Sequence, residues 1–251
     1  MDGFVVATPT GTHAEVLDGV LALGPPVFVE KAMTSDVASA RRVAAAGEGR
    51  LFVMDKWRYH PGVEAMRAEI AAGRVGEVLA IRMERWAWGH PHPDISPLWI
   101  LAPHDLSIVL HLIGDIPPLR SALSLSRREP NLGLTAHLRS ERGPSITLDI
   151  GIASLDRRRR CHVIGSCCTL ELRDGYDERI FVRDGAPGAS GTTDRVIEVG
   201  GKMPLLAEIE HFLAFLNGGP EPMSTAREGL LVVERVAAIE AALAASTASA
   251  A

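Results

Sequence analysis

Strand, helix and strand alternate within the first 30 residues of this chain, a spacing that leaves little freedom in the fold. Val27-Phe28-Val29 follows the turn Gly24-Pro25-Pro26 and runs directly into Glu30-Lys31. A β-branched and aromatic run bounded by Gly and Pro reads as a buried strand. An apolar segment at 4–7 reads as an earlier strand, and Thr8-Pro9-Thr10-Gly11-Thr12 as the turn after it. Residues 13–23 set Val16, Leu17, Val20 and Leu21 on one face of a helix, with Thr12 placed to cap it. The whole is a βαβ unit, so its strands are parallel and its crossover right-handed. Lys31 lands at the carboxyl end of its strand, where open α/β sheets bind their ligands. Lysine is rarely buried without a partner, which makes Lys31 the first functional candidate.

The pattern repeats once more. A helix over 35–46 stops at Gly47 and Gly49, and Leu51-Phe52-Val53-Met54 reads as a third strand. Three strand tips then share one rim: Thr8-Pro9-Thr10, Glu30-Lys31 and Asp55-Lys56-Trp57-Arg58. Such a rim suits an anionic or polyhydroxylated ligand. Lys56 reads as a solvated charge; Arg58 reads equally as a ligand contact or a solvated charge. Pro61 opens a helix with Val63, Met66 and Ile70 on one face, and Gly73 stops it. Beyond Gly76 strands dominate, at 78–86, 120–127, 132–140, 144–153, 160–165, 168–173 and 179–183. A helix interrupts them near 104–113, its entry set by Pro103. Two helices close the chain, one over 203–216 and one from the capping box Thr225-x-x-Glu228, with a fraying tail from Ala244. The expected fold is α/β plus α+β. A partial Rossmann-like parallel sheet occupies 1–76, and a domain with a large, mainly antiparallel open sheet occupies 77–251.

Composition narrows the function. The formal net charge of -5 argues against a generic nucleic-acid binder. Arg157-Arg158-Arg159-Arg160 reads first as a solvated edge or turn and second as an anion patch. Cys161, Cys167 and Cys168 lack metal-ligand spacing and read as thiols of a reducing compartment. No apolar run reaches the roughly 20 residues of a membrane helix, and the N-terminus has no signal-peptide pattern, so a cytoplasmic location is expected. Trp86, Trp88, His90 and His92 make a ring-rich loop that either stacks on a sugar or packs on the sheet edge. A metal site from His90, His92 and Asp94 is the weaker idea, and no metal is assigned.

Several motifs in order resemble the Gfo/Idh/MocA family of nicotinamide-dependent oxidoreductases. They are Val5-Val6-Ala7-Thr8-Pro9-Thr10-x-x-His13, Val29-Glu30-Lys31, Trp57-Arg58-Tyr59-His60-Pro61, Gly73-Arg74-Val75-Gly76-Glu77-Val78 and Ala102-Pro103-His104-Asp105-Leu106-Ser107. The histidine motif is similar to that of the branch acting on nucleotide sugars. The resemblance implies a Rossmann domain that binds NAD or NADP and a second domain that holds a sugar or nucleotide sugar. It also implies a homo-dimer or homo-tetramer through the second sheet, with no nucleic-acid or membrane partner. Lys31 and His104 would be catalytic. Thr8, Pro9, Thr10, His13, Glu30 and Lys31 would line the cofactor. Lys31, Arg58, Trp88 and His104 would meet the substrate.

Three departures qualify that implication. The chain contains no G-x-G-x-x-G and no acidic ribose reader, as though it joined the family pattern partway through the first domain, and cofactor affinity is expected to suffer. The family's proline after the lysine is Ala32, which removes a linkage that is often cis. The carboxylate many members carry four residues before the histidine is Ile100. A catalytically impaired or non-catalytic homologue, acting as a binding or assembly subunit, is therefore the alternative.

Overall fold

A computed structural model of the chain describes residues 2–89, 95–126 and 128–248. The first sheet is parallel, in the order β1 (Phe4–Val6), β2 (Val27–Glu30), β3 (Leu51–Met54). Helix α1 (His13–Leu21) joins the first two strands and α2 (Val37–Ala46) the next two. Thr12 does not cap α1; its hydroxyl donates to the Pro9 carbonyl at 2.8 Å and closes the preceding turn instead. Asp36 caps α2, accepting from the Ser39 N–H at 2.8 Å.

Strand β2 is buried on both faces, which explains its unbroken apolar run. Val27 and Val29 join the main core, while Phe28 faces the other way with Phe52 and Met54. Helix α3 (Pro61–Ala71) completes the first part of the chain.

Among the described residues the second sheet has eight strands. In chain order they are β4 (Val78–Trp88), β5 (Leu119–Ser124), β6 (Gly133–Leu138), β7 (Ser145–Gly151), β8 (Ala153–Gly165), β9 (Cys168–Leu172), β10 (Arg179–Asp184) and β11 (Thr193–Glu198), ordered β11-β10-β9-β8-β4-β7-β6-β5. Only the central β4–β7 pair is parallel. Strand β11 escapes sequence patterning because it is an edge strand with few apolar residues. Arg183–Asp194 and Arg195–Asp184 ion pairs tie it to β10 instead.

Helix α4 (Pro97–Ile113) packs on β4 and β7 and begins well before the expected 104. Pro97 starts it, and Pro103 lies inside it rather than at its entry. Most of its residues are buried around the whole circumference, so the helix shows no clean amphipathic stripe.

The last two helices return to the first sheet. Phe212 of α5 (Pro204–Leu216) stacks on Phe28 at 4.8 Å, and Phe215 meets Phe52 edge-on at 4.9 Å. Helix α6 (Ala226–Ala248) packs on α2, α4, β3 and β5, and continues past the residue where fraying was expected. Its capping box forms as predicted: the Glu228 N–H donates to the Thr225 hydroxyl, and Glu228 accepts from the Thr225 N–H. No helix among the described residues is long and apolar enough to cross a membrane.

The Arg157–Arg160 run is no turn, and among the described residues only its β4 side is paired, so it is a one-sided, partly solvated edge. It lies inside β8, with Arg159 opposite Arg85 and Arg160 opposite Glu84 on β4. Charge density hid the strand. The pleat sends Arg158 and Arg160 outward toward Glu84, at 3.8 and 4.0 Å, and Arg157 and Arg159 toward the helix side.

Candidate active site

The carboxyl ends of β2 and β3 meet α4, and the candidate site lies between them. Lys31 leaves β2 with its ammonium donating to the Ile100 carbonyl at 3.3 Å. His104 stands one helical turn beyond Ile100, so the two sequence candidates converge on one place. Burial is the main force lowering the Lys31 pKa, opposed by Glu30 and Asp55. Burial also drives His104 well below its ordinary value, and Lys31, Arg85, Lys56 and Arg159 push the same way. The imidazole is therefore neutral, and its buried Nδ1 has no hydrogen-bond partner among the described residues. The Lys31–Ala32 peptide is cis, so the turn keeps that linkage without the proline.

Asp55 is the carboxylate beside Lys31. Glu30 and Met54 are register partners, and Lys31 and Asp55 each follow by one residue. Both line a small internal cavity with Arg58, Ser107 and Ser224. Burial raises Asp55 to about 6, against the pull of Arg58, the Ser107 hydroxyl, Lys31 and Arg85. Its Oδ1 is unpartnered among the described residues. Sequence reading passed over it because a charge after a strand looks solvated until the register is known.

Two expected contacts are corrected. Arg58 is buried and does not reach the rim. Its Nε donates to the Ser107 hydroxyl at 2.7 Å, and its Nη1 donates to the Met223 carbonyl at 2.6 Å and to Glu228 at 2.8 Å. It is a tie between the β3 tip, α4 and α6 rather than a substrate contact. His13 is also fully buried, with Nε2 at 2.8 Å from the Thr8 carbonyl and Nδ1 at 2.8 Å from the Ala32 carbonyl. Each ring nitrogen lies against a carbonyl, and a neutral imidazole donates to one of the two, so the buried ring sits between the β1 turn and the residue after Lys31 and does not face a cofactor. Thr8 and Pro9 are exposed and Thr10 is half-buried at the β1 tip, while Glu30 accepts from the Lys31 N–H at 3.2 Å.

An open cavity of about 660 Å³ spreads from His104 between α4 and the second sheet. Trp57, which is buried, forms much of its floor. Its ring meets His104 edge-on at 6.4 Å and stacks on His60 at 5.3 Å, and the Arg85 guanidinium lies 4.8 Å from its centre. Arg85 is held by Asp105 Oδ1 through bonds of 2.8 and 2.5 Å, and Asp105 Oδ2 makes no hydrogen bond to the adjacent His104. Ile100, at the position of the missing carboxylate, lines the same cavity, and Trp88 stands exposed at its lip. His90, His92 and Asp94 lie outside the described residues. Among the described residues no three His, Cys, Asp or Glu side chains form a metal-binding group.

Comparison with known proteins matches this architecture. Residues 1–52 match the family profile described as an oxidoreductase family with an NAD-binding Rossmann fold. Inositol 2-dehydrogenase of Rhizobium meliloti is 23% identical over 257 residues, covering 92% of this chain and 74% of the relative. UDP-N-acetylglucosamine 3-dehydrogenase of Acidithiobacillus ferrooxidans is 26% identical over 228 residues, covering 85% and 69% respectively. The crystal structure of that enzyme superposes with a TM-score of 0.84 at 22% identity, over 98% of this chain and 80% of the other. Levoglucosan dehydrogenase, solved with NADH and levoglucosan, superposes with a TM-score of 0.83 at 15% identity, over 98% and 78%. With Lys31 and His104 in the arrangement described, the chain shares the fold of these dehydrogenases, and its residues 1–52 match the oxidoreductase family profile.

Proposed function

We propose that this chain transfers a hydride between NAD(P) and a hydroxyl of a sugar or nucleotide sugar. The observation that carries the reading is the Lys31 ammonium bonded to the Ile100 carbonyl, one turn from a neutral His104 whose Nδ1 is unpartnered. A neutral imidazole is the form that can take a hydroxyl proton. The ammonium beside it would donate to the same oxygen and stabilise the alkoxide as it develops. Trp57 would give the sugar ring an apolar floor, and Trp88 a surface to stack on at the lip. NAD(P), when bound, supplies the acceptor for the hydride.

The residues fit that cofactor unevenly. The nicotinamide end would suit Thr8, Pro9, Thr10, Glu30 and Lys31, which lie at the tips of adjacent parallel strands. The pyrophosphate end has no glycine-rich turn in these 251 residues. The relatives' substrates, inositol and a UDP-sugar, favour a polyhydroxylated substrate here as well. One observation favours the second reading, a homologue that binds without turning over: the apolar Ile100 where a carboxylate is expected.

Titrating the protein with NADH and following nicotinamide fluorescence separates them; saturable enhancement supports the enzyme, and no enhancement supports the binding subunit. Lys31→Ala is expected to abolish dehydrogenase turnover, and a variant that keeps its kcat would remove the assigned role. The outward face of the second sheet, with Leu123 and Val196 exposed, is the proposed contact for a homo-dimer or homo-tetramer, read by light scattering after size exclusion.

A further inference from the structure

The cleft beside His104 is cationic, although the chain as a whole carries a formal charge of -5. Lys56, Arg85, Arg157 and Arg159 line it, and among the described residues no Asp or Glu does. Arg85 is neutralised by Asp105. Lys56, Arg157 and Arg159 enter no ion pair among the described residues. Arg157 and Arg159 are alternate residues of β8, so they project on one face about 7 Å apart. Both guanidiniums lie over the Tyr176 ring, at 5.5 and 5.0 Å, and Arg159 donates to the Tyr176 hydroxyl at 2.5 Å. Their outward neighbours Arg158 and Arg160 meet Glu84, so only the inward half of the run lacks a counter-charge. Half-burial of Arg159 lowers its pKa, against the pull of the Tyr176 hydroxyl it donates to.

The geometry points to an anion subsite: the cleft takes a sugar bearing a carboxylate or a phosphate, its reacting hydroxyl toward His104 and its anionic group on Arg157, Arg159 and Lys56. This rests on the dehydrogenase reading of the same cleft. A planar guanidinium pair suits the oxygens of either anion. A second cavity of about 330 Å³ shares Lys56, Trp57 and Arg159 with the first and continues toward Tyr176 and Met203. A ligand whose anionic group sits at that junction has room for a further substituent beyond it, as a phosphodiester would carry.

The test is calorimetric titration of the intact protein with D-glucose, D-glucuronate, glucose 1-phosphate and UDP-glucose. At least one charged probe is expected to bind about tenfold tighter than glucose or better, and the advantage should shrink as salt rises from about 0.05 to 0.5 M. Preference for glucuronate alone identifies a terminal carboxylate; preference for the phosphate probes identifies phosphate. Arg159→Gln should erase the advantage. Arg157→Gln, at an exposed position with little risk to folding, should reduce it severalfold. Equal affinity for glucose and every charged probe, failure of every charged probe to bind, or a preference unchanged in both variants would overturn the subsite. Charged preference without reduction of NAD(P)⁺ would sink the dehydrogenase reading and leave the subsite standing. Turnover of neutral sugars that ignores both arginines would do the reverse.

Discussion

Replacing Arg58 by methionine separates a structural tie from a ligand contact, the two readings its sequence context leaves open. The side chain is almost completely buried and makes bonds of 2.7, 2.6 and 2.8 Å to Ser107, Met223 and Glu228. Methionine keeps much of the volume and loses every donor. The loss strands two carboxylates: Glu228, held below its usual range partly by Arg58, and Asp55, whose upward shift Arg58 restrains. Each charge-assisted bond contributes about 1.5–3 kcal/mol, but bonds that share one group do not add. Breaking a buried pair by removing one partner costs about 3–5 kcal/mol, and that is the expected loss. Against a total stability of about 5–15 kcal/mol, a fifth or more disappears. Urea unfolding followed by tryptophan fluorescence reads it as a lower midpoint with an unchanged slope. A loss below about 1 kcal/mol, combined with sugar or cofactor affinity reduced tenfold, would mean that Arg58 serves the ligand and that the tie is wrong.

Two predictions concern pH. Because burial and neighbouring cations hold His104 neutral, kcat/KM should keep its acid plateau below the ordinary histidine value of about 6.5, and an acid limb centred there would contradict its assignment as base. Desolvation lowers Lys31, so the alkaline limb should fall below the ordinary lysine value of 10.5, and Lys31→Arg should move or abolish it. Glu208 on α5 is buried with Oε2 unpartnered among the described residues, and burial raises it to about 9. Its folded pKa exceeds its unfolded value of about 4.5, so the folded state holds the extra proton in that window and stability falls as pH rises through it, by at most about 1.4 kcal/mol per pH unit. Glu208→Gln should flatten that decline in urea titrations between about pH 5 and 9, and a parallel decline in the variant would refute the protonated carboxyl.

Residues were legible wherever a local rule decides their place. Val27 to Val29 announced a doubly buried strand, and the carboxyl-end rule then put Lys31 at the ligand rim. His104 was legible through its motif, although its helix was not. Periodicity locates a helix by contrast between faces, and α4 is buried nearly all round, so the reading fell back on Pro103 as a start signal. The arginine run hides its strand for a related reason. Four adjacent charges suggest solvent, yet a strand needs only alternate residues to tolerate it, and β8 balances one pair with Glu84 while turning the other into the cleft. His13 and Arg58 were placed in the right neighbourhood and given the wrong direction, because a motif fixes position along the chain and leaves the side chain's facing to packing. Asp55 shows the limit most plainly. Within 51–58 it is one charge among three that follow an apolar strand. The pairing of Glu30 with Met54 makes it the neighbour of Lys31, and that register is set by the helices on both faces of the first sheet, two of which arrive from beyond residue 200. The carboxylate absent at Ile100 thus has a counterpart near the same ammonium, supplied by a strand tip instead of the helix, and only the assembled fold brings the two together.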